Sequence, residues 1–139
     1  MSYWIRSQPE RHCPNVFVDS HNDYWRRIPL FEAIHYGLTS VEADVWLQPD
    51  GSLLVGHDPS SLTRNRTFTS LYVNPIRELL DHQNPDNEFA HATKNGVFDT
   101  DREQTLILLV DIKTDGYETL PAVLKHLDCL LYTSPSPRD

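Results

Sequence analysis

The most regular alternation of hydrophobic and polar residues lies in Ser40–Leu47, SVEADVWL. Alternation with a period of two predicts a β-strand, because successive side chains of a strand point to opposite faces. One face would carry Glu42, Asp44 and Trp46, and the other face would be aliphatic. The aliphatic face suits packing beneath helices, whereas the first face holds two carboxylates whose mutual repulsion must be offset.

The rest of the chain changes repeatedly between strand-like and helix-like patterns. Three further strands are predicted from short β-branched or apolar runs: Asn15–Ser20, Ser52–Gly56 and Thr105–Lys113. Three helices are predicted from apolar residues at helical spacing: Pro29–Gly37, Asn74–Asp81 and Glu118–Asp128. The last strand is nearly all apolar, as in parallel strands buried on both faces, and the polar segment Asp81–Gln104 is predicted to be a long loop. This order predicts an α/β fold with parallel strands.

Composition restricts the class of protein. With 139 residues, of which 39% are hydrophobic, the chain is long enough for one globular domain with a core. The formal net charge of −8 argues against general nucleic-acid binding, which depends on lysine and arginine meeting phosphates. No apolar run is long enough to span a membrane, and the N-terminus shows no hydrophobic region of a signal peptide. Two cysteines are too few for a disulfide framework.

The segment 129–139, CLLYTSPSPRD, breaks the preceding amphipathic pattern with a run of serine and proline. Its obvious back-translation resembles the transposase adaptor used in sequencing libraries, so we interpret it as adaptor-derived rather than as a natural proline-rich tail. On this interpretation Cys13 is the only native cysteine, and the natural chain continues further. The predicted organisation is an N-terminal extension (1–14), a domain (15–128) and the adaptor-derived segment (129–139).

Carboxylates cluster where the predicted strands end. Glu42 and Asp44 lie on the strand described first, and Asp111 and Lys113 repeat their i, i+2 spacing at the end of the last strand. Ligands of α/β folds bind at the carboxyl ends of strands. Three carboxylates in such a position suit a hard divalent cation such as Mg²⁺ or Ca²⁺.

Two histidines that follow predicted strands are candidates for proton transfer. His21 and His57 could supply an acid and a base near neutral pH. Simpler interpretations are also open, since a histidine in a loop is often structural or solvated and the first two acids could line a solvated edge. Asp111 could pair only with Lys113, but this ion pair explains neither the other acids nor the histidines.

Four segments together resemble one known family: HNDYWRRIPLFEA, SVEADVWL, DGSLLVGHD and LLVDIKTDG. They are similar to the fungal "altered inheritance of mitochondria" type proteins of the PLC-like phosphodiesterase superfamily, roughly from His21 to Asp128. That superfamily also contains glycerophosphodiester phosphodiesterases and sphingomyelinase D enzymes. The resemblance implies a TIM-type (β/α)8 barrel. Because Asn15–Asp128 supplies about three of the eight βα units, the chain is expected to be the truncated N-terminal part of such a barrel.

The resemblance also implies roles for individual residues. They are the catalytic histidines His21 and His57, the metal ligands Glu42, Asp44 and Asp111, and the phosphate contacts Lys113 and Asn22. Two positions depart from the glycerophosphodiesterases, which usually have arginine in place of Asn22 and tend to have glutamate in place of Asp111. At the second position the sphingomyelinase D branch is the better match.

The expected function is a metal-dependent phosphoric diester hydrolase or lyase that acts on a glycerophosphodiester or (lyso)phospholipid-like substrate. The two histidines would provide acid–base catalysis, and the attacking group could be water or a neighbouring hydroxyl of the substrate. Two other classes are considered. A non-catalytic barrel that binds phospholipid headgroups would need Lys113 but not His57. A metal-dependent amidohydrolase would need a His-x-His motif, whereas His21 is followed by Asn22 and Asp23.

Overall fold

The computed structural model describes residues 18–89, 93–101 and 104–131. Strands and helices alternate within these ranges. The strands are β1 (Asp19–Ser20), β2 (Ser40–Leu47), β3 (Leu53–Val55) and β4 (Ile107–Ile112). The α-helices are α1 (Phe31–His35), α2 (Asn74–Gln83) and α3 (Gly116–Leu131). The mixed α/β class predicted from the sequence is confirmed.

Strand β2 is the centre of a four-stranded sheet. On one edge β2 pairs in parallel with β4, from the residue pair Ser40–Ile107 to the pair Val45–Ile112. The other edge is divided, because β1 pairs in parallel with the start of β2 while β3 pairs antiparallel with its end. The carboxyl ends of β1, β2 and β4 therefore point in the same direction.

The aliphatic face of β2 lies at the centre of the hydrophobic core. Val41, Ala43 and Val45 have no exposed surface and share one cluster with residues of the helical layer, such as Tyr72 and Ile76. Burial of this face is favourable by roughly 25 cal/mol per Å² of apolar surface removed from water. The prediction of one aliphatic face on β2 is confirmed, and the opposite face carries the acids.

Strand β4 differs from its prediction. The apolar run was expected to be buried on both faces, but its side chains are only partly buried and Leu109 is 44% exposed. The physical reason is that β4 pairs only with β2 among the residues described, so it lies at an edge of an open sheet. Closure of the sheet into a barrel stays a prediction.

The helix predicted over Pro29–Gly37 is shorter than expected. Leu30 has φ 64° and ψ −58°, and the amide of Phe31 donates to the carbonyl of Pro29 at 2.7 Å. This geometry is a γ-turn with positive φ, which is rare and strained for a residue with a side chain. The Leu30 amide donates to Asp23 Oδ2 at 2.7 Å, and its side chain is fully buried. These two contacts hold the γ-turn, so α1 begins only at Phe31.

Other boundaries differ in detail. The strand predicted over Asn15–Ser20 is seen only as β1, since residues before 18 lie outside the described ranges. A π-helical turn over Thr69–Val73 precedes α2. Helix α3 continues to Leu131, beyond the predicted end at Asp128, and so enters the segment interpreted as adaptor-derived. None of the helices in the described part of the chain is sufficiently long and apolar to cross a membrane.

Candidate functional site

The parallel strands bring together the acids that the sequence separates. Asp44 on β2 lies directly opposite Asp111 on β4, and the end of β1 pairs with Val41 next to Glu42. Glu42, Asp44 and Asp111 each offer one carboxylate oxygen within 4.8 Å of those of the other two. The side chain of Asp44 is 2% exposed, so three acids surround a point that is partly shielded from water.

Lys113 offsets part of this negative charge. Its Nζ lies 2.5 Å from Asp111 Oδ2 and 3.2 Å from Asp44 Oδ2. The hydrogen bond to Asp111, followed by the attraction of Asp44, raises the pKa of Lys113 above its ordinary value. The ammonium is therefore charged at neutral pH, and it leaves the cluster of three carboxylates with a formal net charge of two negative units.

Each of the three carboxylates uses only one of its oxygens for contacts with the described protein. The contacts of Glu42 are made by Oε2, and those of Asp44 and Asp111 are made by Oδ2. Asp44 Oδ1 is buried and has no hydrogen-bond partner within the described ranges. A buried carboxylate oxygen without a partner is costly, and a cation in the cluster would satisfy it.

Both candidate catalytic histidines direct Nδ1 toward an acid of β2. His21 Nδ1 lies 2.7 Å from Glu42 Oε2, and His57 Nδ1 lies 3.6 Å from Asp44 Oδ2. The side chains of His21 and His57 are 73% and 50% exposed. A carboxylate near one ring nitrogen orients the imidazole and leaves the other nitrogen for proton exchange. In both residues that other nitrogen is Nε2.

Asn22 lies in the same cluster, but its side chain is turned inward. Its backbone has φ 51° and ψ 42°, a left-handed conformation that asparagine tolerates better than most residues. This conformation lets its amide donate to Glu42 Oε2 at 2.9 Å, while its side-chain Oδ1 accepts from Tyr24 at 2.6 Å. The residue is 8% exposed. Its expected contact with a substrate phosphate stays a prediction.

Tyr24 belongs to the site and was not predicted from the sequence. It is 1% exposed, and its hydroxyl donates to Asp44 Oδ2 at 2.8 Å and lies 3.4 Å from His57 Nδ1. Burial, followed by the hydrogen bond to Asp44, raises the pKa of Tyr24 above the usual range of tyrosine. The only sign in the sequence that Tyr24 could belong to the site was its position three residues after His21. A tyrosine next to a tryptophan more often indicates a residue of the hydrophobic core.

Asp23 organises the loop that carries His21 and Tyr24. Its buried carboxylate accepts hydrogen bonds from three other groups: Ser20 Oγ at 2.8 Å, the Leu30 amide at 2.7 Å and the Tyr72 hydroxyl at 3.2 Å. Arg26 Nε lies 3.2 Å from the same carboxylate. Asp23 therefore ties β1, the γ-turn and the helical layer together, and this role was not predicted either.

The segment around His57 is held on both sides. The indole of Trp46 donates to the carbonyl of Gly56 at 2.7 Å, and the carboxylate of Asp58 accepts from the amides of Ser60 and Ser61 at 2.9 and 3.2 Å. The Ser60 hydroxyl is the main reason that the pKa of Asp58 is lowered. The His57 ring packs edge-on against Trp25, with ring centroids 5.3 Å apart.

The family model of the AIM6-like phosphodiesterase domain matches residues 8–133 of the chain. The chain belongs to this family. The resemblance noted from the four sequence segments is thereby confirmed. No solved structure matches the chain.

The chain is similar in sequence to three fungal proteins. The chain is 45% identical over 120 residues to altered inheritance of mitochondria protein 6 homolog of Arthroderma benhamiae. This match covers 81% of the chain and 38% of the relative. It is 42% identical over 118 residues to altered inheritance of mitochondria protein 6 of Kluyveromyces lactis, and this match covers 76% of the chain and 28% of the relative. It is 44% identical over 102 residues to the Saccharomyces cerevisiae protein of the same name, and this match covers 73% of the chain and 26% of the relative.

The chain therefore matches only about a quarter to two fifths of the length of these relatives. Their names state no reaction. The family name carries the word phosphodiesterase.

Proposed function

We propose that the full-length protein carrying this domain cleaves a phosphodiester with the help of a divalent cation and two histidines. The observation that carries the proposal is the pairing of His21 and His57 with Glu42 and Asp44, beside a buried and unpartnered oxygen of Asp44. The substrate class that we propose is a glycerophosphodiester or (lyso)phospholipid-like diester. Family membership supports this choice of reaction.

The residues present suit a hard divalent cation. Glu42, Asp44 and Asp111 each keep one oxygen outside the contacts described above, and carboxylate oxygens are the preferred ligands of Mg²⁺ and Ca²⁺. The remaining net charge of the cluster matches that of such a cation in magnitude and is opposite in sign. When bound there, the cation would neutralise charge on a non-bridging phosphoryl oxygen.

The two histidines would move the protons. The attacking hydroxyl belongs to water or to the substrate itself. Nε2 of one neutral imidazole accepts the proton of this hydroxyl while the hydroxyl oxygen forms a bond to phosphorus. Nε2 of the other, protonated imidazole gives a proton to the departing oxygen as its bond to phosphorus breaks. Lys113 provides a fixed positive charge next to the reacting phosphate.

We also propose that the open sheet is part of a TIM-type barrel in the full-length protein. Three parallel strands, β1, β2 and β4, carry their polar side chains at one end, as barrel enzymes do. The partly exposed apolar residues of β4 suit a strand that further strands cover. The greater length of the fungal relatives leaves room for them.

The decisive experiment is turnover by purified full-length protein. A panel of glycerophosphodiesters and lysophospholipids is offered with Mg²⁺ or Ca²⁺, and His21→Ala and His57→Ala are each expected to lower kcat by about 10²- to 10⁴-fold. His35→Ala is the matched control, because this histidine of α1 is exposed and its ring packs against Tyr36 rather than against a residue of the candidate site. Equal rates in wild type and His57→Ala would contradict the catalytic proposal and favour a headgroup-binding protein.

Cation binding is tested separately by calorimetry without substrate. Glu42→Gln and Asp44→Asn should each weaken binding of Mg²⁺ or Ca²⁺ at least tenfold, because each removes a charged ligand. Asp86→Asn, at an exposed acid outside the cluster, should leave the affinity unchanged. Unchanged affinity in the first two variants would show that the cluster is not the metal site.

A further inference from the structure

The hydroxyl of Tyr24 is the point where three residues of the candidate site meet. It lies 2.8 Å from Asp44 Oδ2, 2.6 Å from Asn22 Oδ1 and 3.4 Å from His57 Nδ1. Among the residues described, no other hydroxyl contacts both a carboxylate of the acidic cluster and a candidate catalytic histidine. The residue itself is 1% exposed, so water does not compete for these contacts.

The phenol is held in place by the protein around it. The guanidinium of Arg66 donates to the Tyr24 carbonyl. A single 3₁₀ turn over Asp23–Trp25 fixes the backbone, with the Trp25 amide donating to the carbonyl of Asn22 at 2.9 Å. Trp25, the next residue, packs edge-on against the same His57 ring that the Tyr24 hydroxyl approaches. The His57 ring is thus contacted by two consecutive residues of one hydrogen-bonded turn.

A tyrosine hydroxyl has one proton, and its nearby acceptors are unequal. Asn22 Oδ1 at 2.6 Å and Asp44 Oδ2 at 2.8 Å both lie closer to the hydroxyl oxygen than His57 Nδ1 at 3.4 Å, so the two oxygens share the proton. With the proton directed to these oxygens, the phenolic oxygen faces His57 Nδ1 with its lone pairs and can only accept from it. That nitrogen then carries the proton of the neutral imidazole, and Nε2 carries the lone pair.

We propose that Tyr24 is a positioning residue, which orients the His57 ring and selects the tautomer whose Nε2 accepts a proton. Tyr24 does not touch the reacting atoms; it acts through His57 and Asp44. The inference rests on the proposed function for its catalytic meaning, whereas the orientation of His57 is a property of the protein without substrate.

The first test compares two buried tyrosines in the full-length protein. Tyr24→Phe removes the hydroxyl and keeps the ring in the core. Tyr72→Phe is the matched control, because its hydroxyl is also buried but donates to Asp23 Oδ2 and the carbonyl of Glu42, both at 3.2 Å. We expect kcat to fall about tenfold in Tyr24→Phe with KM within about twofold, the loss expected for one hydrogen bond of roughly 1.4 kcal/mol. In Tyr72→Phe, kcat should stay within about twofold of wild type.

The second test needs no turnover. Protein with ¹⁵N-labelled histidine is compared by NMR at one fixed pH, and His57→Gln identifies the His57 signals. Wild type should show the tautomer with the proton on Nδ1, and Tyr24→Phe should shift the population toward the tautomer with the proton on Nε2. Tyr72→Phe should leave the His57 signals unchanged, although it loses a hydroxyl of the same kind.

The outcomes separate this inference from the proposed function. An inactive wild type would contradict the proposed function, and the NMR comparison would still decide the role of Tyr24. Unchanged His57 signals in Tyr24→Phe overturn the inference, whatever the rates. Equal loss of kcat in the two variants also overturns it, because a general structural weakening would then explain the effect.

Discussion

Among the residues described, only Lys113 brings a positive charge into contact with two acids of the cluster. Its ammonium lies between Asp44 and Asp111, and it contributes charge but no ligand atom for a cation. A neutral residue at this position changes the electrostatics of the cluster and leaves all three carboxylates in place. The effects of charge and of ligand number can therefore be separated at one side chain.

We expect Lys113→Gln to bind Mg²⁺ or Ca²⁺ about tenfold more tightly than wild type and to cleave phosphodiesters more slowly. Binding improves because the ammonium repels a cation held by the same carboxylates. Turnover falls because a positive charge beside the phosphate is lost. Calorimetry and steady-state rates measure the two effects, with Lys125→Gln on the exposed side of α3 as the control. Weaker cation binding in Lys113→Gln would contradict this account of the residue.

Two buried tyrosines make stability depend on alkaline pH. Burial is the largest cause that raises the pKa of both Tyr24 and Tyr72 above the ordinary value of about 10. Above about pH 10 the unfolded chain loses these protons and the folded chain keeps them, so the free energy of unfolding must fall as pH rises. Lys113, whose pKa is also raised, acts in the same direction.

Urea unfolding of the full-length protein between about pH 9 and 11 measures this dependence. Each tyrosine that stays protonated only in the folded chain lowers the free energy of unfolding by at most about 1.4 kcal/mol per pH unit. Tyr72→Phe should therefore show a shallower decline than wild type, even though it is less stable at neutral pH. Parallel curves for the two proteins would show that Tyr72 ionises equally in both states.

The sequence predicted the charged residues of the site better than the neutral ones. Glu42, Asp44 and Asp111 could be found because acids on apolar strands are unusual and need a reason. Tyr24 could not, since a buried tyrosine fits an ordinary core and its hydroxyl partners are set by the fold of the loop. Asp23 was passed over for a related reason, because an acid in a polar loop gives no sign that it is 1% exposed.

Among the local elements, the γ-turn at Leu30 departs most clearly from local sequence preference. Proline followed by apolar residues indicated the first turn of a helix, and φ 64° at a leucine has no signature in the sequence. The conformation is determined by two distant requirements, the Asp23 carboxylate that binds the Leu30 amide and the core that takes the side chain. By contrast, β2 was predicted at its observed bounds because its pattern, its burial and its pairing all agree.

The γ-turn makes an unusual prediction for substitutions at Leu30. In the middle of a helix or strand, a protein with glycine is less stable than one with alanine by about 0.5–1 kcal/mol. Here both Leu30→Ala and Leu30→Gly lose about 2–5 kcal/mol of side-chain packing, but only glycine removes the strain of positive φ, which costs on the order of 1–3 kcal/mol. We expect Leu30→Gly to be the more stable variant in denaturant unfolding. The reverse order would show that the turn is unstrained or relaxes.

Ala33→Gly is the control, because the residue at position 33 is already alanine and this one change gives the same alanine–glycine comparison. This residue is buried in the middle of α1 with ordinary helical surroundings. Ala33→Gly should therefore be destabilising by about 1 kcal/mol, as glycine is in helix interiors. Opposite signs of the alanine–glycine difference at the two positions would isolate the backbone contribution.

At the scale of the whole molecule, the sheet is open. An open sheet is expected to make residues 1–139 unstable when they are expressed alone. The sequence predicted the class and the order of the elements, and among the described residues β4 pairs only with β2. Leu109 lies on the same face as the acids, opposite Glu42, and is 44% exposed. An unpaired strand edge with apolar side chains favours association with other chains.

We expect residues 1–139 expressed alone to lack a cooperative thermal transition as a soluble monomer and to lack phosphodiesterase activity. The reason is that the edge of β4 exposes backbone groups and apolar surface, and that an open site admits water to its charges. Calorimetry, gel filtration and the turnover assay compare this chain with the full-length protein. A cooperative monomeric transition refutes the folding claim, and turnover abolished by His21→Ala refutes the claim of inactivity.

Leu109 provides a variant that tests whether further strands cover β4 in the full-length protein. If further strands cover β4 in the full-length protein, Leu109→Ala should be destabilising there by about 2–5 kcal/mol, as for a buried leucine. A side chain that stayed 44% exposed would lose much less free energy of unfolding on truncation. A small effect of Leu109→Ala in denaturant unfolding of the full-length protein would therefore count against the barrel.

The candidate catalytic and cation-binding residues, together with the lysine between the acids, all lie between His21 and Lys113. In evolutionary terms, the reaction would then be inherited as one continuous stretch of gene. Segments downstream of this stretch in longer relatives could diverge, or be exchanged by recombination, without separating the groups that transfer protons from those that hold the cation. New substrates could then arise in this lineage while the ancestral chemistry is conserved.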